Sequence, residues 1–340
     1  MNYRIVAALM LFLCGIAGTA GPAFAADPPA PRIGQLLRAV HAGTALWLLY
    51  DDGVLRRLDD DATTARVAQV DGRAFDLCVR GDAPIVAAIV DHKAVFRRLG
   101  GSGWAVLGSV PLSDTGRIVG IACQGAAPLL LTSDRVAVLG QPPLAVAGVL
   151  PPGVRYSLYR DGDSLLAGSN AGEWGGGLVR IDLHDGAVTV IQGAGAPVQD
   201  IAPAPGKPGC MLIAVGLVHF MPSGRLTELC GTTPRHFFAA PFAVQGWRAV
   251  PGKPDDDPYP GVAFYGFAAT DNGLIAIGID GLREITAAGV GPVRPLPGFT
   301  ERGGVRIAML SPKLWLVLTG INARVSVGGA MPLAVPLGVE

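Results

Sequence analysis

The chain has 340 residues, with 27 basic and 27 acidic side chains, so its formal net charge is zero, and half of its residues are apolar. It contains no basic tract of the kind that neutralises the phosphates of a nucleic acid, which excludes nucleic acid as an expected partner. Its 48 glycines and 28 prolines, combined with few aromatic residues, favour many short strands and tight turns over helices or disorder. The composition therefore predicts an all-β protein.

The first 25 residues have the pattern of a signal peptide. Arg4 is followed by an apolar run from Ile5 to about Ile16, and Ala23-Phe24-Ala25 fits the A-x-A cleavage pattern. A membrane anchor is the alternative, but about a dozen apolar residues are fewer than the roughly 20 needed to cross a bilayer. We therefore expect cleavage before Ala26, a periplasmic location and no membrane span afterwards.

One pattern then recurs along the chain at intervals typical of propeller blades. Each copy has an apolar strand, a turn with Gly or Asp, and a second strand that often ends in Arg. The copies begin at Ala45, Pro84, Pro128, Ser164, Cys210, Asn272 and Lys313. Segments such as 85–90 are apolar on successive residues, which indicates strands covered on both faces. The pattern predicts a seven-bladed β-propeller of four-stranded antiparallel blades over residues 26–340, with a β-helix or two packed sandwiches as alternatives.

Two segments carry a resemblance to a known kind of propeller. "DNGLIAIGIDGLREI" from Asp271 and "ALWLLYDDGVLRRL" from Ala45 resemble the repeats of seven-bladed propellers in the periplasmic sensor domains of two-component regulators. Those sensors continue into a membrane span and a kinase, for which this sequence shows no segment. The resemblance therefore implies a fold rather than a function.

The connection between the fifth and sixth repeats, residues 231–262, is longer than the others. It contains His236, Phe237, Phe238 and Trp247, a more aromatic mixture than a simple linker needs. Because long loops in compact domains are often functional, we expect this insertion to contribute to a binding surface.

An arginine recurs just before the innermost strand of five repeats. The five are Arg38, Arg73, Arg117, Arg155 and Arg306, and Gln199 and Tyr265 stand near the equivalent point of the fifth and sixth repeats. Inner strands of a propeller surround the central channel and run the same way, so equivalent positions lie at one mouth. Guanidinium groups gathered there would attract carboxylates, phosphates or sulfates. These seven residues, with His41 three positions after Arg38, form the predicted ligand-binding set.

Local pairing is the alternative for these arginines. Each of them can form an ion pair with a nearby carboxylate, such as Asp76 or Asp200, and a pair of this kind on the surface stabilises a protein by at most about 1 kcal/mol. The sequence leaves both interpretations open.

Catalytic and metal-binding motifs are not evident. The sequence has no G-x-S-x-G elbow, and His41, His92, His184 and His219 have no metal-ligand spacing. The acidic runs 59–61 and 255–257 lack the pattern of an EF-hand calcium loop. We therefore predict no cofactor and no metal. Three tyrosines near inner strands could act as a base in a lyase, but packing roles are expected for them; they are Tyr156, Tyr159 and Tyr265.

Four cysteines follow the predicted signal peptide. Cys78 and Cys123 fall on inner strands of adjacent repeats, which makes them the best disulfide candidates in an oxidising compartment. Cys210 and Cys230 are expected on the second and fourth strands of one blade, at opposite ends, so a bond between them is doubtful. Buried free thiols are the alternative for all four.

These observations favour a non-catalytic binding or scaffolding protein. The expected partner is an anionic small molecule or glycan, or another protein, and the chain is expected to act as a monomer. The alternative is a periplasmic lactonase-like or lyase-like enzyme that acts on an acidic sugar at the same mouth.

Overall fold

The regular structure that is described consists almost entirely of short strands, which turns and loops connect. The computed structural model describes residues 36–60, 65–219, 221–243 and 258–295, and the backbone of four further strands between 305 and 336. These ranges contain 28 strands and one 3-10 helix, arranged in seven four-stranded antiparallel sheets. Side chains are described in the first six sheets, while the seventh is described by its backbone alone.

Each sheet is built from four strands that are consecutive in the chain. Blade 1 contains β1 (Leu36–Ala42), β2 (Ala45–Tyr50), β3 (Leu55–Asp59) and β4 (Arg66–Val67). Blade 2 contains β5 (Arg73–Arg80), β6 (Ala83–Val90), β7 (Lys93–Gly100) and β8 (Gly103–Pro111). Blade 3 contains β9 (Ile118–Ala122), β10 (Leu129–Thr132), β11 (Arg135–Val138) and β12 (Leu144–Ala145).

The remaining blades repeat this order. Blade 4 contains β13 (Arg155–Asp161), β14 (Ser164–Asn170), β15 (Gly176–Asp182) and β16 (Val188–Val190), with the 3-10 helix Gly172–Trp174 between β14 and β15. Blade 5 contains β17 (Val198–Pro203), β18 (Cys210–His219), β19 (Met221–Cys230) and β20 (Thr233–Phe238). Blade 6 contains β21 (Phe264–Thr270), β22 (Gly273–Gly278), β23 (Gly281–Thr286) and β24 (Gly289–Val290). The seventh sheet contains β25 (Val305–Ser311), β26 (Leu314–Thr319), β27 (Asn322–Val327) and β28 (Leu333–Pro336).

The first strand of every sheet contacts the first strands of its two neighbours. This series runs from β1 through β5, β9, β13, β17 and β21 to β25, and β25 contacts β1 again. The sheets therefore close into a ring around an axis lined by these inner strands. The predicted β-propeller with four-stranded antiparallel blades is confirmed, and a β-helix or an open sandwich is excluded.

The core lies between blades rather than within them. One cluster joins Ile85 and Phe96 of blade 2 to Leu130 of blade 3, and another joins Leu166 of blade 4 to Ile213 of blade 5. In the six blades with described side chains, the second strand is covered on both sides, which explains why its apolar residues do not alternate with polar ones. Contact between blades is thus the main apolar stabilisation of the ring.

Both cysteine pairs are disulfide-bonded. Cys78 and Cys123 join the inner strands of blades 2 and 3, as predicted, with their Cα atoms 6.0 Å apart. Cys210 and Cys230 are also bonded, at a Cα separation of 4.3 Å, so the expectation that they lie too far apart is wrong. Cys230 ends the third strand of blade 5 rather than the fourth, and the register of β18 and β19 places it directly opposite Cys210.

The long connection after blade 5 begins with a strand. Within the predicted insertion 231–262, the segment Thr233–Phe238 is β20, the outer strand of blade 5. Residues 239–243 and 258–263 then lead towards β21, and Trp247 lies outside the described residues. The predicted signal peptide, residues 1–25, also lies outside them.

Candidate functional site

The inner strands of blades 1 to 3 open into a pocket of about 860 Å³, here called the mouth pocket. Arg73, the first residue of β5, and Arg117, which immediately precedes β9, both line it. Asp51, His92 and Asp114 also face this pocket. The fold therefore brings two of the predicted arginines, from different blades, into one cavity.

The guanidinium groups of Arg73 and Arg117 bind uncharged acceptors. Arg73 Nη2 donates to the main-chain oxygen of Asp51 at 3.2 Å. Arg117 donates through Nη1 to the main-chain oxygen of Gly153 and through Nη2 to the hydroxyl of Tyr156, both at 3.2 Å. Both arginines are exposed, and within the described residues neither forms an ion pair with a carboxylate. Their positive charges are available to a ligand.

Tyr156 supports the Arg117 guanidinium group. The carbon of that group lies 5.9 Å from the centroid of the Tyr156 ring, within cation–π distance. The Tyr156 hydroxyl donates to the main-chain oxygen of Pro151 at 2.6 Å while accepting from Arg117. These contacts make Tyr156 a support for the cation, the packing role expected from the sequence.

Arg155, the first residue of β13, stands near a second cation. Burial lowers the pKa of Arg155 from its ordinary value, and the positive charge of Arg38 lowers it further, whereas Asp51 opposes this change. Arg155 is not among the residues that line the mouth pocket.

Arg38 lies deeper along the axis and is paired. Its Nε donates to Asp76 Oδ1 at 2.8 Å, and its Nη2 donates to the main-chain oxygen of Tyr156 at 2.7 Å. The same carboxylate accepts the main-chain N–H groups of Leu77, at 2.9 Å, and Ile121, at 2.8 Å. Arg38 of blade 1 thus links blade 2 to blade 4, and the local-pairing alternative describes it.

Asp200 repeats this arrangement three blades later. It accepts the main-chain N–H groups of Ile201 and of Phe267 in blade 6, both at 2.9 Å. The hydroxyl of Ser157 in blade 4 lies 3.4 Å from Asp200 Oδ1. Ser157 therefore stands beside Asp200 as Arg38 stands beside Asp76. Two aspartates therefore tie neighbouring inner strands together across blade boundaries.

The strands that receive these carboxylates carry glycine at the point of contact. A Cβ atom on Gly120 would lie 2.8 Å from Asp76 Oδ2, and one on Gly266 would lie 3.1 Å from Asp200 Oδ2. Glycine is thus required for the close approach of the carboxylate. The six positions form what we call the axial layer: Arg38, Asp76, Gly120, Ser157, Asp200 and Gly266.

The predicted set is not one ring of equivalent positions. In five of the six inner strands with described side chains, a β-bulge directly precedes the axial layer. Gln199 and Tyr265 are two of the bulged residues. Arg38 lies in the layer itself. The other three arginines lie two or three positions before it in the chain, namely Arg73, Arg117 and Arg155. Because a bulge shifts the register of its strand, residues that seem equivalent in the sequence do not lie at the same level along the axis.

Gln199 and Tyr265 face a different cavity, of about 470 Å³, here called the channel pocket. The side-chain amide of Gln199 donates to the main-chain oxygen of Gly216 at 2.5 Å and accepts from Asn170 at 3.0 Å. Tyr265 is buried, with 9% of its surface exposed. These two residues therefore do not join Arg73 and Arg117.

The last two residues of the predicted set lie elsewhere. His41 is near the other end of β1, where its Nε2 lies 2.9 Å from Asp60 Oδ1 of the same blade. Arg306 belongs to β25, whose backbone alone is described. The structure thus gathers Arg73 and Arg117, sets Arg155 near Arg38, and separates His41 from them.

On blades 1 to 3 the axial layer lies between the two pockets. There, the residues just before it line the mouth pocket, namely Leu37, Phe75 and Val119. The residues just after it line the channel pocket, namely Ala39, Leu77 and Ile121. On blades 5 and 6 the channel pocket extends past the layer, because Gln199 and Tyr265, which precede it, line that pocket. Sequence reasoning named Asp76 and Asp200 as possible partners of arginines but missed this layer, whose signal is an aspartate directly before an apolar residue in "FDLC" and "QDIA".

The carboxylates around the axis have structural contacts. The axial carboxylates already accept main-chain N–H groups, as described above. Burial raises the pKa of Tyr159, and the charge of Asp161 raises it further, which disfavours the tyrosinate form that a base would need. Among the described side chains, no group of three or more His, Cys, Asp or Glu is placed to hold a metal ion.

None of the helices in the described part of the chain is long and apolar enough to cross a membrane.

Comparisons with known proteins identify structural neighbours but no sequence family. No family model matches the chain, and no curated protein matches it. The extracellular domain of a putative one-component system from B. thetaiotaomicron is similar with a TM-score of 0.53 and 12% identity, over 86% of this chain and 38% of that chain. Hsv2 from Kluyveromyces marxianus is similar with a TM-score of 0.49 and 7% identity, over 86% of this chain and 92% of that chain. The computationally designed protein Ika8 is similar with a TM-score of 0.46 and 9% identity, over 90% of this chain and 97% of that chain. At these identities the similarity shows the fold alone.

Proposed function

We propose that this chain is a non-catalytic binding protein that holds an anionic group of its partner in the mouth pocket. The observation that carries the proposal is the pair Arg73 and Arg117. They come from two blades, line one cavity and bind uncharged acceptors. Arginine presents a planar set of donors that matches carboxylate and phosphate groups.

The size and lining of the mouth pocket indicate which kind of ligand would fit it. A volume of about 860 Å³ falls within the range of small-molecule pockets, roughly 300 to 1,000 Å³. The carboxylate of Asp114, in the same lining, can accept a hydrogen bond, so a ligand that carries a donor as well as an anionic group fits the pocket.

Binding is better supported than catalysis. Asp76 and Asp200 are the carboxylates of the axial layer, and each holds main-chain N–H groups of two adjacent blades. A lactonase-like or lyase-like enzyme acting on an acidic sugar would need a carboxylate, histidine or tyrosine poised as a base. The contacts of these two aspartates favour a structural role for them.

We place the protein in the periplasm after removal of residues 1–25. Two disulfides support an oxidising compartment, because cytosolic thiols are kept reduced. The test is expression of the full chain in a bacterium, followed by fractionation and N-terminal sequencing. A mature protein that begins at Ala26 in the periplasmic fraction is the expected result, and an uncleaved cytoplasmic chain would contradict it.

Calorimetric titration with galacturonate, citrate and inorganic phosphate tests anion binding at the mouth. Galacturonate and citrate are expected to bind more tightly than phosphate, with an affinity that falls as salt rises. Arg73→Gln and Arg117→Gln should each weaken binding about tenfold or more, the effect of losing one charge-assisted hydrogen bond.

Arg66→Gln is the matched control, because Arg66 is exposed on the outer strand β4 of blade 1. It should bind like the wild type. The proposal fails if none of the three anions binds, or if Arg66→Gln weakens binding as much as the two mouth variants do.

A further inference from the structure

Three large apolar side chains beside the mouth pocket are almost fully exposed. Val149 is 85% exposed, Val154 is 84% exposed and Trp174 is 83% exposed. Single exposed apolar residues are ordinary on protein surfaces, but these three occur on two segments, the connection that leads into β13 of blade 4 and the loop that follows β14. We call them the blade 4 rim.

The two segments are adjacent at the end of the ring where the inner strands begin. Val154 directly precedes β13, and its N–H donates to the main-chain oxygen of Asn170, the last residue of β14, at 2.9 Å. Trp174 ends the 3-10 helix that follows Asn170. Both segments therefore present their side chains at the same end as Arg117.

Hydrogen bonds hold these segments in place. Asn170 Oδ1 accepts the N–H of Gly172 at 2.8 Å, and Asn170 Nδ2 donates to Gln199 Oε1 of blade 5 at 3.0 Å. The Tyr156 hydroxyl binds the Pro151 oxygen in the other segment. The apolar side chains are thus carried on fixed backbone, which reduces the entropy cost of binding a partner.

The blade 4 rim is continuous with the cationic pocket. Arg117 Nη1 donates to the main-chain oxygen of Gly153, the residue before Val154. A surface that starts with arginines and continues with valine and tryptophan has the composition of a protein interface, in which Arg and Trp are enriched.

We infer that the mouth pocket and the blade 4 rim together bind an extended acidic segment of a partner protein. Its carboxylate side chains pair with Arg73 and Arg117, and an apolar side chain packs on Val154 and Trp174. This inference rests on the proposed anion binding at the mouth. An acidic polysaccharide fits less well, because valine side chains offer no hydrogen bonds to sugar hydroxyls and gain most by covering apolar groups.

Three fluorescently labelled peptides of equal length test the inference by fluorescence anisotropy. The first alternates glutamate with leucine and phenylalanine, the second replaces the apolar residues by serine, and the third replaces glutamate by lysine. The first should bind at least about tenfold more tightly than the second, as expected for one buried apolar anchor, and the third should not bind. Binding of the first should also change the fluorescence of Trp174.

The double variant Val154→Ser/Trp174→Ser should remove the advantage of the first peptide and leave the second unchanged. Val190→Ser is the matched control, because Val190 is 55% exposed on the outer strand β16 of the same blade. All changed residues are exposed, and a thermal melt of each variant should confirm an unchanged fold.

The outcomes separate the two proposals. If the second peptide and the small anions bind through Arg73 and Arg117 while the apolar residues add nothing, the protein-segment inference is overturned and anion binding stands. If an oligogalacturonate binds in a Trp174-dependent way and the first peptide does not, the occupant is a polysaccharide and the inference is likewise overturned. If no anion or peptide binds, both proposals fail.

Discussion

Arg38 of blade 1 and Asp76 of blade 2 form an ion pair with a distance of 2.8 Å between Nε and Oδ1, beside the axis of the propeller. The side chain of Asp76 is 4% exposed and also accepts two main-chain N–H groups, one from its own strand and one from blade 3. The carboxylate is therefore a junction of three blades. Apolar contacts hold neighbouring blades together, and this junction fixes the offset of their inner strands.

Asp76→Asn should lower the free energy of unfolding by roughly 2 to 4 kcal/mol. The amide group would turn an N–H towards a main-chain N–H or towards Arg38, leaving a buried donor unsatisfied. Urea denaturation measures the change. Asp82→Asn, at an exposed turn position, is the control, and equal effects of the two substitutions would contradict the role of the junction.

Arg38 and Asp76 should be energetically coupled. In a double-mutant cycle with Arg38→Gln and Asp76→Asn, the double variant should lose less stability than the sum of the single losses. The coupling should be roughly 1 kcal/mol or more, as for residues in direct contact. Additive losses would show that the two side chains act independently.

Alkaline pH should destabilise the fold through Tyr50. Burial raises the pKa of the Tyr50 hydroxyl from 10.0 to about 12, and the charge of Arg56 partly opposes this. The unfolded chain ionises this phenol first, so the stabilisation is fully present below pH 10 and is lost as pH rises through 12. The loss should be roughly 2 kcal/mol.

Urea denaturation across this pH range measures the loss, and Tyr50→Phe should remove it. Tyr259→Phe changes a tyrosine that is 53% exposed and should keep the alkaline loss of the wild type. The same alkaline loss in the Tyr50→Phe variant would assign it to other groups.

The disulfide between blades should contribute more stability than the one within blade 5. Cys78 and Cys123 are 45 residues apart, and Cys210 and Cys230 are 20 apart. The entropy of loop closure gives about 4 kcal/mol for the first and about 3 kcal/mol for the second. Urea unfolding of the two double alanine variants compares them, and a larger loss from the Cys210 and Cys230 variant would contradict the chain-entropy account.

Much of the fold could be predicted because its pattern is local and repeated. Residues 85–90 are apolar in succession because neighbouring blades cover both faces of β6, and this feature is visible in the sequence. The bond between Cys78 and Cys123 followed from placing both on adjacent inner strands. The bond between Cys210 and Cys230 was not expected, because the sequence suggested that Cys230 lies on the fourth strand of its blade. It lies on the third strand, β19.

The candidate site could be predicted only in part, because the position of a side chain depends on the register of its strand. Arg73 and Arg117 do share a pocket, but Arg38 and His41, on the same strand, have separate local partners. The β-bulges that shift these strands have no clear sequence mark. The fourth repeat contains Trp174, but its exposure was missed because the repeated pattern does not show which loop side chains face solvent.

The position of the axial layer decides which groups a molecule near the axis would contact. Arg38 extends from blade 1 to the main-chain oxygen of Tyr156 in blade 4, and it lines the channel pocket together with Asp200. A molecule in that pocket would therefore touch the side chains that tie the inner strands together, whereas one in the mouth pocket would touch Arg73 and Arg117.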